Sequence, residues 1–467
     1  MSTLADRIRG VLQGTAGTAT KAGDSVPPAT RSENALPVVP RGPAEGSGVL
    51  SAAASGLGRI ASPNPATVLG GEWRRHGDEV CFVVESRRER SSPYGHSTIG
   101  TVADGLREAA EEVPLLAGFS LQSPFLFFDL ETTGLSGGAG TYAFLVGCGS
   151  FDGDGAFTTR QFILMRLADE PALLSSVADE LSRAGALVSF NGKSFDRPLI
   201  ESRYLYHRLP WTGAALPHLD MLHIARRFWR REATPVDALA FDADSGCSLG
   251  ALERQLLGHR RQGDVPGFEI PQRYFQFVRT GDARPLVPVL AHNRLDLLSL
   301  AALTTKALRL VKDGEEHAHL PREALALGHL YARAGLVSRA RTAYLRAAVM
   351  AQATPMAAVR ADALRALAVS ARRLGEHDQA ANYWRQVLDV RSCPPSIARQ
   401  AREALAIYYE HRVGDLPVAR AFALSSLQDG PRAEESGRHR IARIERKIQT
   451  RPRESARLDL LSTGSAG

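Results

Sequence analysis

The chain has 467 residues, enough for two or three domains, and a hydrophobic content of 44%, the level of a globular protein with buried cores. Its net charge of +7 lies in the C-terminal third: residues 313–467 carry 24 Lys+Arg against 17 Asp+Glu, and residues 1–312 carry 33 of each. Only five of the 57 basic residues are lysine, a ratio that reflects composition as readily as nucleic-acid binding, so charge alone names no partner.

No run of eighteen apolar residues is present, which predicts no membrane span. The opening MSTLADRIRGVLQG has an acidic residue and no apolar core of signal-peptide length. Cys81, Cys148, Cys247 and Cys393 form no CxxC pair and read as reduced thiols, which predicts a cytoplasmic protein.

Residues 1–65, rich in Gly, Ala, Ser, Thr and Pro, read as a disordered tail with one short helix over 4–13. Residues 66–115 read as a small β-containing lead-in around the apolar run Val80–Val84. Over 116–312 the pattern predicts strands at 125–131, 141–149, 157–164, 186–190 and 217–221. Helices are predicted at 169–184, 195–208, 222–231, 248–257, 271–280 and 285–312, giving an α/β mixed sheet flanked by helices. From 316 to 445 the chain reads as helical hairpins whose turn glycines, Gly335, Gly375 and Gly414, recur every 40 and 39 residues. Such arrays bury one face by stacking and offer a concave surface to a protein partner, or simply cap the domain before them. Residues 446–467 read as a frayed tail.

In FFDLETTGL (127–135) an apolar strand ends on Asp129 and Glu131, which share a face because side chains alternate along a strand. Two carboxylates there repel each other unless a proton or a divalent cation intervenes, although an edge strand emerging into solvent explains the pair equally well. In VSFNGKSFDRPLI (188–200) a strand runs through Asn191-Gly192 into a helix whose first turn holds Asp196, a place where capping also favours an acid. The GKS within it is no phosphate loop, because Leu187 stands where that motif needs glycine. In LAHNRLDLLSLAAL, His292 and Asp296 lie four apart on one helical face.

These three segments, in this order, resemble the three motifs of the DEDD exonucleases of the ribonuclease H-like superfamily. With SLGALERQLLG and DVPGFEIPQRYFQFVRTGD between them and tetratricopeptide-like repeats behind, residues 66–445 resemble the bacterial YprB-like branch. The resemblance implies a 3′–5′ exonuclease on single-stranded DNA or RNA ends. It implies that Asp129, Glu131, Asp196 and Asp296 hold two Mg²⁺ or Mn²⁺ ions and that His292 is the general base or positioner of the attacking water. One departure stands out: that family places three residues between a tyrosine and its aspartate, or four after a histidine, and here a histidine is followed by three.

Asp220, at the end of a short strand, reads as a supporting carboxylate rather than a ligand. Thr132 and Asn191 are candidate substrate contacts, Asn191 also reading as a turn closer. The glycine-rich 134–140 reads as a hairpin loop or a close approach to phosphate. ARRFWRR (225–231) reads as a strand-tracking, base-stacking stretch or as a helix with Phe228 and Trp229 packed inward. The alternative function, from a different class, is a tetratricopeptide-like scaffold that binds nucleic acid without turnover.

Overall fold

The structure, a computed structural model, describes residues 63–77, 79–134, 140–230, 247–352, 356–427 and 437–450. The expected N-terminal tail with its helix at 4–13, and most of the glycine-rich loop and C-terminal tail, lie outside the described residues.

Seven strands form one sheet: β1 (Glu72–His76), β2 (Glu79–Arg88), β3 (Phe125–Thr132), β4 (Ala143–Phe151), β5 (Phe157–Ile163), β6 (Ala186–Ser189) and β7 (His218–Asp220). Their order is β1-β2-β5-β4-β3-β6-β7. The first five pair antiparallel, whereas β3-β6 and β6-β7 are parallel. The lead-in segment therefore supplies two strands to the main sheet instead of standing apart from it.

β3 is central because it is apolar on both faces. Phe125 and Phe127 join one core cluster, while Leu126, Phe128 and Leu130 join another. The helices that cover the sheet are α1 (Ile99–Ala109), α2 (Glu170–Arg183), α3 (Asp196–Tyr206), α4 (Met221–Phe228), α5 (Ile270–Thr280) and α6 (Val287–Asp313). Leu297, Leu298, Leu300 and Leu303 of α6 share the cluster of Phe125 and Phe127. Leu173, Val177, Leu199, Tyr274 and Phe277 pack on the other side. The stretch 284–313 is long and apolar enough to cross a membrane by length and composition, a feature that a search for unbroken apolar runs does not show; 61% of its apolar window is buried inside the fold.

The helix predicted over 248–257 is instead an α-turn, Leu249–Leu252, followed by a π-helical turn, Glu253–Leu257. π-Turns are rare and often mark functional positions. The first residue of this one, Glu253, is 1% exposed.

Beyond α6 the chain continues as paired helices: α7 (Pro321–Arg333) with α8 (Val337–Met350), α9 (Ala357–Arg373) with α10 (His377–Leu388), and α11 (Pro395–Tyr408) with α12 (Leu416–Ser425). Gly335, Gly375 and Gly414 sit in the turns at φ +75°, +79° and +76°, a region that side chains with a Cβ rarely enter. The first hairpin is not detached from the α/β part. One apolar cluster runs from Phe125 through Tyr331 to Leu405, and Trp229 Nε1 donates to Glu323 Oε1 at 2.8 Å. Phe228 and Trp229 are 0% and 2% exposed, so the base-stacking reading of ARRFWRR fails. Apolar burial outweighs the basic flanks that suggested it.

Candidate metal centre

The alternation of β3 puts Asp129 and Glu131 on the face covered by α6, beyond Phe125 and Phe127. Across the sheet Asp129 pairs with Gly147, and Gly147 with Gln161. A Cβ at Gly147 would lie 2.3 Å from Asn293 Oδ1, so the absence of a side chain there lets α6 approach. Asn293, fully buried, bridges the strands: its Nδ2 donates to Asp129 Oδ2 at 2.8 Å, and its Oδ1 accepts from Gln161 Nε2 at 2.8 Å. Gln161 Nε2 also donates to the Leu290 carbonyl at 2.9 Å. The orientation of Asp129 is thus set by α6 and β5 as well as by its own strand.

The parallel strands β3, β6 and β7 end at the same edge, where open α/β sheets generally carry their sites. The turn after β6 places Asn191 at φ +66° and opens α3 with Asp196, which is 6% exposed. Asp220 holds that turn: Oδ1 accepts from the backbone N–H groups of Asn191 (2.8 Å) and Leu222 (3.0 Å), and Oδ2 from that of Lys193 (3.1 Å). Both of its oxygens are engaged by backbone, so it positions the segment carrying Asp196. Thr132 is 6% exposed and its hydroxyl donates to the Gly134 carbonyl at 2.9 Å, which turns its polar atom toward the loop.

His292 and Asp296 come from successive turns of α6. His292 Nε2 is 3.2 Å from Asp296 Oδ2, and Nδ1 is 2.7 Å from Asp264 Oδ1. Arg261 reaches Asp296 Oδ1 at 2.5 Å, Glu253 Oε2 at 2.6 Å and Asp264 Oδ2 at 3.2 Å. Ser299 donates to Glu253 Oε2 at 2.8 Å. Glu131, His292 and Asp296 each offer a donor atom, and these atoms all lie within 4.8 Å of one another.

Electrostatics show the acids acting on one another. Burial, then the charge of Asp296, pushes Asp129 up to about 7 against the partial relief given by Asn293. Burial and the charge of Asp129 raise Glu131 well above its usual range, with Asp296 and Asp196 adding to the effect. Burial, Asp129 and Asp220 do the same to Asp196. Asp296 goes the other way: burial opposes its charge, but the hydrogen bond and charge of His292, with Arg261, hold it below the ordinary value. For His292, burial favours the neutral ring, yet Asp296, Glu131 and Asp264 outweigh it and raise the imidazole to about 10. Three carboxylates driven toward neutrality beside a fourth that stays charged form a donor set that fits divalent cations, which bring these acids the charge they lack.

Four residues of this network escaped the sequence reading. Asn293 stood only as a spacer between His292 and Asp296. Arg261 and Asp264 lie in HRRQGD (259–264), a charged stretch without periodicity, and Glu253 sat in a predicted helix with nothing to mark its burial. The one available signal was a polar Asn on the helical face that packs on the sheet.

Residues 126–308 match the family RNase_H_2, described as RNase_H superfamily. The chain is also 33% identical over 267 residues to a Bacillus subtilis (strain 168) protein described as uncharacterized protein YprB. That alignment takes in 54% of this chain and 60% of the relative's length. All the acids of this cluster, with His292, Asn293 and Arg261, fall inside the matched 126–308. The mixed seven-stranded sheet flanked by helices is a ribonuclease H-like fold, and an all-helical region follows it.

Proposed function

We propose that this chain is a nuclease that hydrolyses phosphodiester bonds, working 3′ to 5′ from a single-stranded DNA or RNA end by the two-ion mechanism of DEDD exonucleases. One observation carries the reading: Asp129, Glu131, Asp196 and Asp296, drawn from three distant segments, converge where the parallel strands end, where the charges of Asp129, Asp196 and Asp296 raise their neighbours' proton affinity and His292 with Arg261 holds Asp296 charged. Clustered carboxylates destabilise a fold and repel a phosphate backbone, so a protein that only binds nucleic acid has no use for them. Two Mg²⁺ or Mn²⁺ ions held by these acids would supply positive charge to the attacking and leaving oxygens of the phosphodiester.

Asn293 orients Asp129, Asp220 sets the turn that presents Asp196, and Asn191 and Thr132 are assigned to contact the end of the nucleic acid. His292 lies beside Asp296 and belongs to the same cluster. The tetratricopeptide-type hairpins α7–α12 supply a surface for a protein partner, and the cytoplasm, where unpaired thiols persist, is the compartment this reading assigns.

Digestion of end-labelled DNA and RNA oligonucleotides with Mg²⁺ or Mn²⁺, resolved by length, tests the proposal. A ladder shortening from the 3′ end, lost with chelator, is expected. Tight binding with no product in either metal would instead establish the scaffold reading.

A further inference from the structure

One of the candidate metal donors is not a carboxylate. His292 lies one turn before Asp296 on α6, and its donor nitrogen is within 4.8 Å of donor oxygens on both Glu131 and Asp296. Two donors on one ion, each about 2.1–2.2 Å from it, are at most about 4.4 Å apart, so this spread needs only a small closure to embrace a single cation. The ring's two nitrogens are differentiated. Nδ1 is 2.7 Å from Asp264 Oδ1, and Nε2 faces Asp296 Oδ2 at 3.2 Å. A carboxylate on Nδ1 is the support that metal-binding histidines have behind them, and it leaves Nε2, beside Asp296, as the nitrogen that would bind a cation once the cation displaces its proton. Asp264 is in turn held by Arg261 at 3.2 Å, so the support is itself anchored.

A base for water needs its nitrogen turned toward open space where water and phosphate can meet, and here it is turned toward carboxylate oxygens. Resting on the reading of the acidic cluster as a cation site, we infer that His292 is a ligand, with Glu131 and Asp296, to one divalent ion rather than the base for water, and that Asp264 is its positioning residue. The mixed nitrogen and oxygen donor set selects Mn²⁺ over Mg²⁺ at this position, because Mg²⁺ takes hard oxygen donors and imidazole suits transition ions.

Pulsed electron paramagnetic resonance on the full chain loaded with Mn²⁺ tests this without reference to turnover. Natural-abundance protein should show ¹⁴N modulation from a directly bound imidazole, replaced by ¹⁵N coupling when histidine is supplied as [¹⁵N]histidine. His292→Gln, checked for fold by circular dichroism, should lose the coupling. Asp264→Asn should keep it with Mn²⁺ affinity weakened by about 10–100-fold in calorimetric titration. Bound Mn²⁺ with no nitrogen coupling in the unsubstituted chain, or coupling that persists in His292→Gln, overturns the inference. If His292→Gln fails to fold, the isotope comparison alone decides. Cleavage without nitrogen coupling would remove His292 as a ligand and leave the nuclease reading intact; coupling without cleavage would do the reverse.

Discussion

Asn293 and Asp129, 164 positions apart in sequence, meet in a 2.8 Å hydrogen bond in which the amide Nδ2 donates to the carboxylate Oδ2. The contact exists because Gly147, between Asp129 and Gln161 in the ladder, leaves room for Asn293 to lie over the sheet. Gly147→Ala puts a methyl 2.3 Å from Asn293 Oδ1, so α6 or the amide must shift. Overpacking of this kind costs about 1–3 kcal/mol, read as a lower melting temperature, with cleavage reduced because Asp129 loses its orientation. A Gly147→Ala chain as stable and as active as the parent would show that the close approach is unimportant.

Asp129→Asn and Asp196→Asn each remove a charge that the fold itself resists. Both variants should lose cleavage to background while melting, without added metal, no lower than the parent, since a source of repulsion has gone. Unfolding of either variant, or an undiminished rate in Mg²⁺ and Mn²⁺, contradicts the assignment.

Behind the sheet, Arg203 and Glu170 form a buried two-point pair, with Nε to Oε1 at 2.7 Å and Nη2 to Oε2 at 2.5 Å, both residues at 1% exposure. Arg203→Leu leaves the buried Glu170 carboxylate with only His207 Nε2, 2.7 Å from Oε2, among its described side-chain partners and should cost up to about 3–5 kcal/mol, whereas adding Glu170→Leu should recover much of the loss. Denaturant unfolding of the two single variants and the double one gives the coupling; simple additivity would count against it.

His218, two residues before Asp220 on β7, supplies a second pH dependence. Its Nε2 is 2.7 Å from Ser189 Oγ, and burial, with nearby Lys193 adding to it, lowers the ring to about 4. The folded chain thus disfavours the protonated ring, while the unfolded chain accepts a proton near 6.5. This contribution is fully present above pH 6.5 and is lost as pH falls toward 4, by at most about 3 kcal/mol. Comparing urea unfolding of the parent and His218→Gln at pH 7 and pH 4.5 isolates it. Identical pH slopes for the two chains would mean that His218 is not buried in neutral form.

Much of the architecture was legible from local pattern. The run Phe125–Phe128 ending in Asp129 and Glu131 announced an apolar strand with an acidic tip and left an edge position open; the structure has β3 at Phe125–Thr132, paired on both sides. The four-residue spacing of His292 and Asp296 announced a shared helical face, and the glycines at 335, 375 and 414 announced helical hairpins. The basic, aromatic stretch at 225–231 left two readings open, because composition does not say which side of a helix is covered, and the structure bears out the one with Phe228 and Trp229 packed inward. The first repeat hairpin covers Trp229, and Glu323 within it accepts the indole proton.

What the chain determines by itself is periodicity: which side chains share a face, where an apolar run stops, and where a turn demands a positive φ. Those are properties of a few neighbouring residues and survive without knowledge of the fold. Only the tertiary structure decided which distant groups meet, namely Asn293 over Gly147, Arg261 between Glu253 and Asp296, and Asp264 behind His292. Those meetings depend on strand order β5-β4-β3 and on a loop without repeat, 258–269, whose course is set by burying one guanidinium among three carboxylates. No local pattern encodes that balance of charge, because its partners are separated by up to 43 positions in the chain, from Glu253 to Asp296.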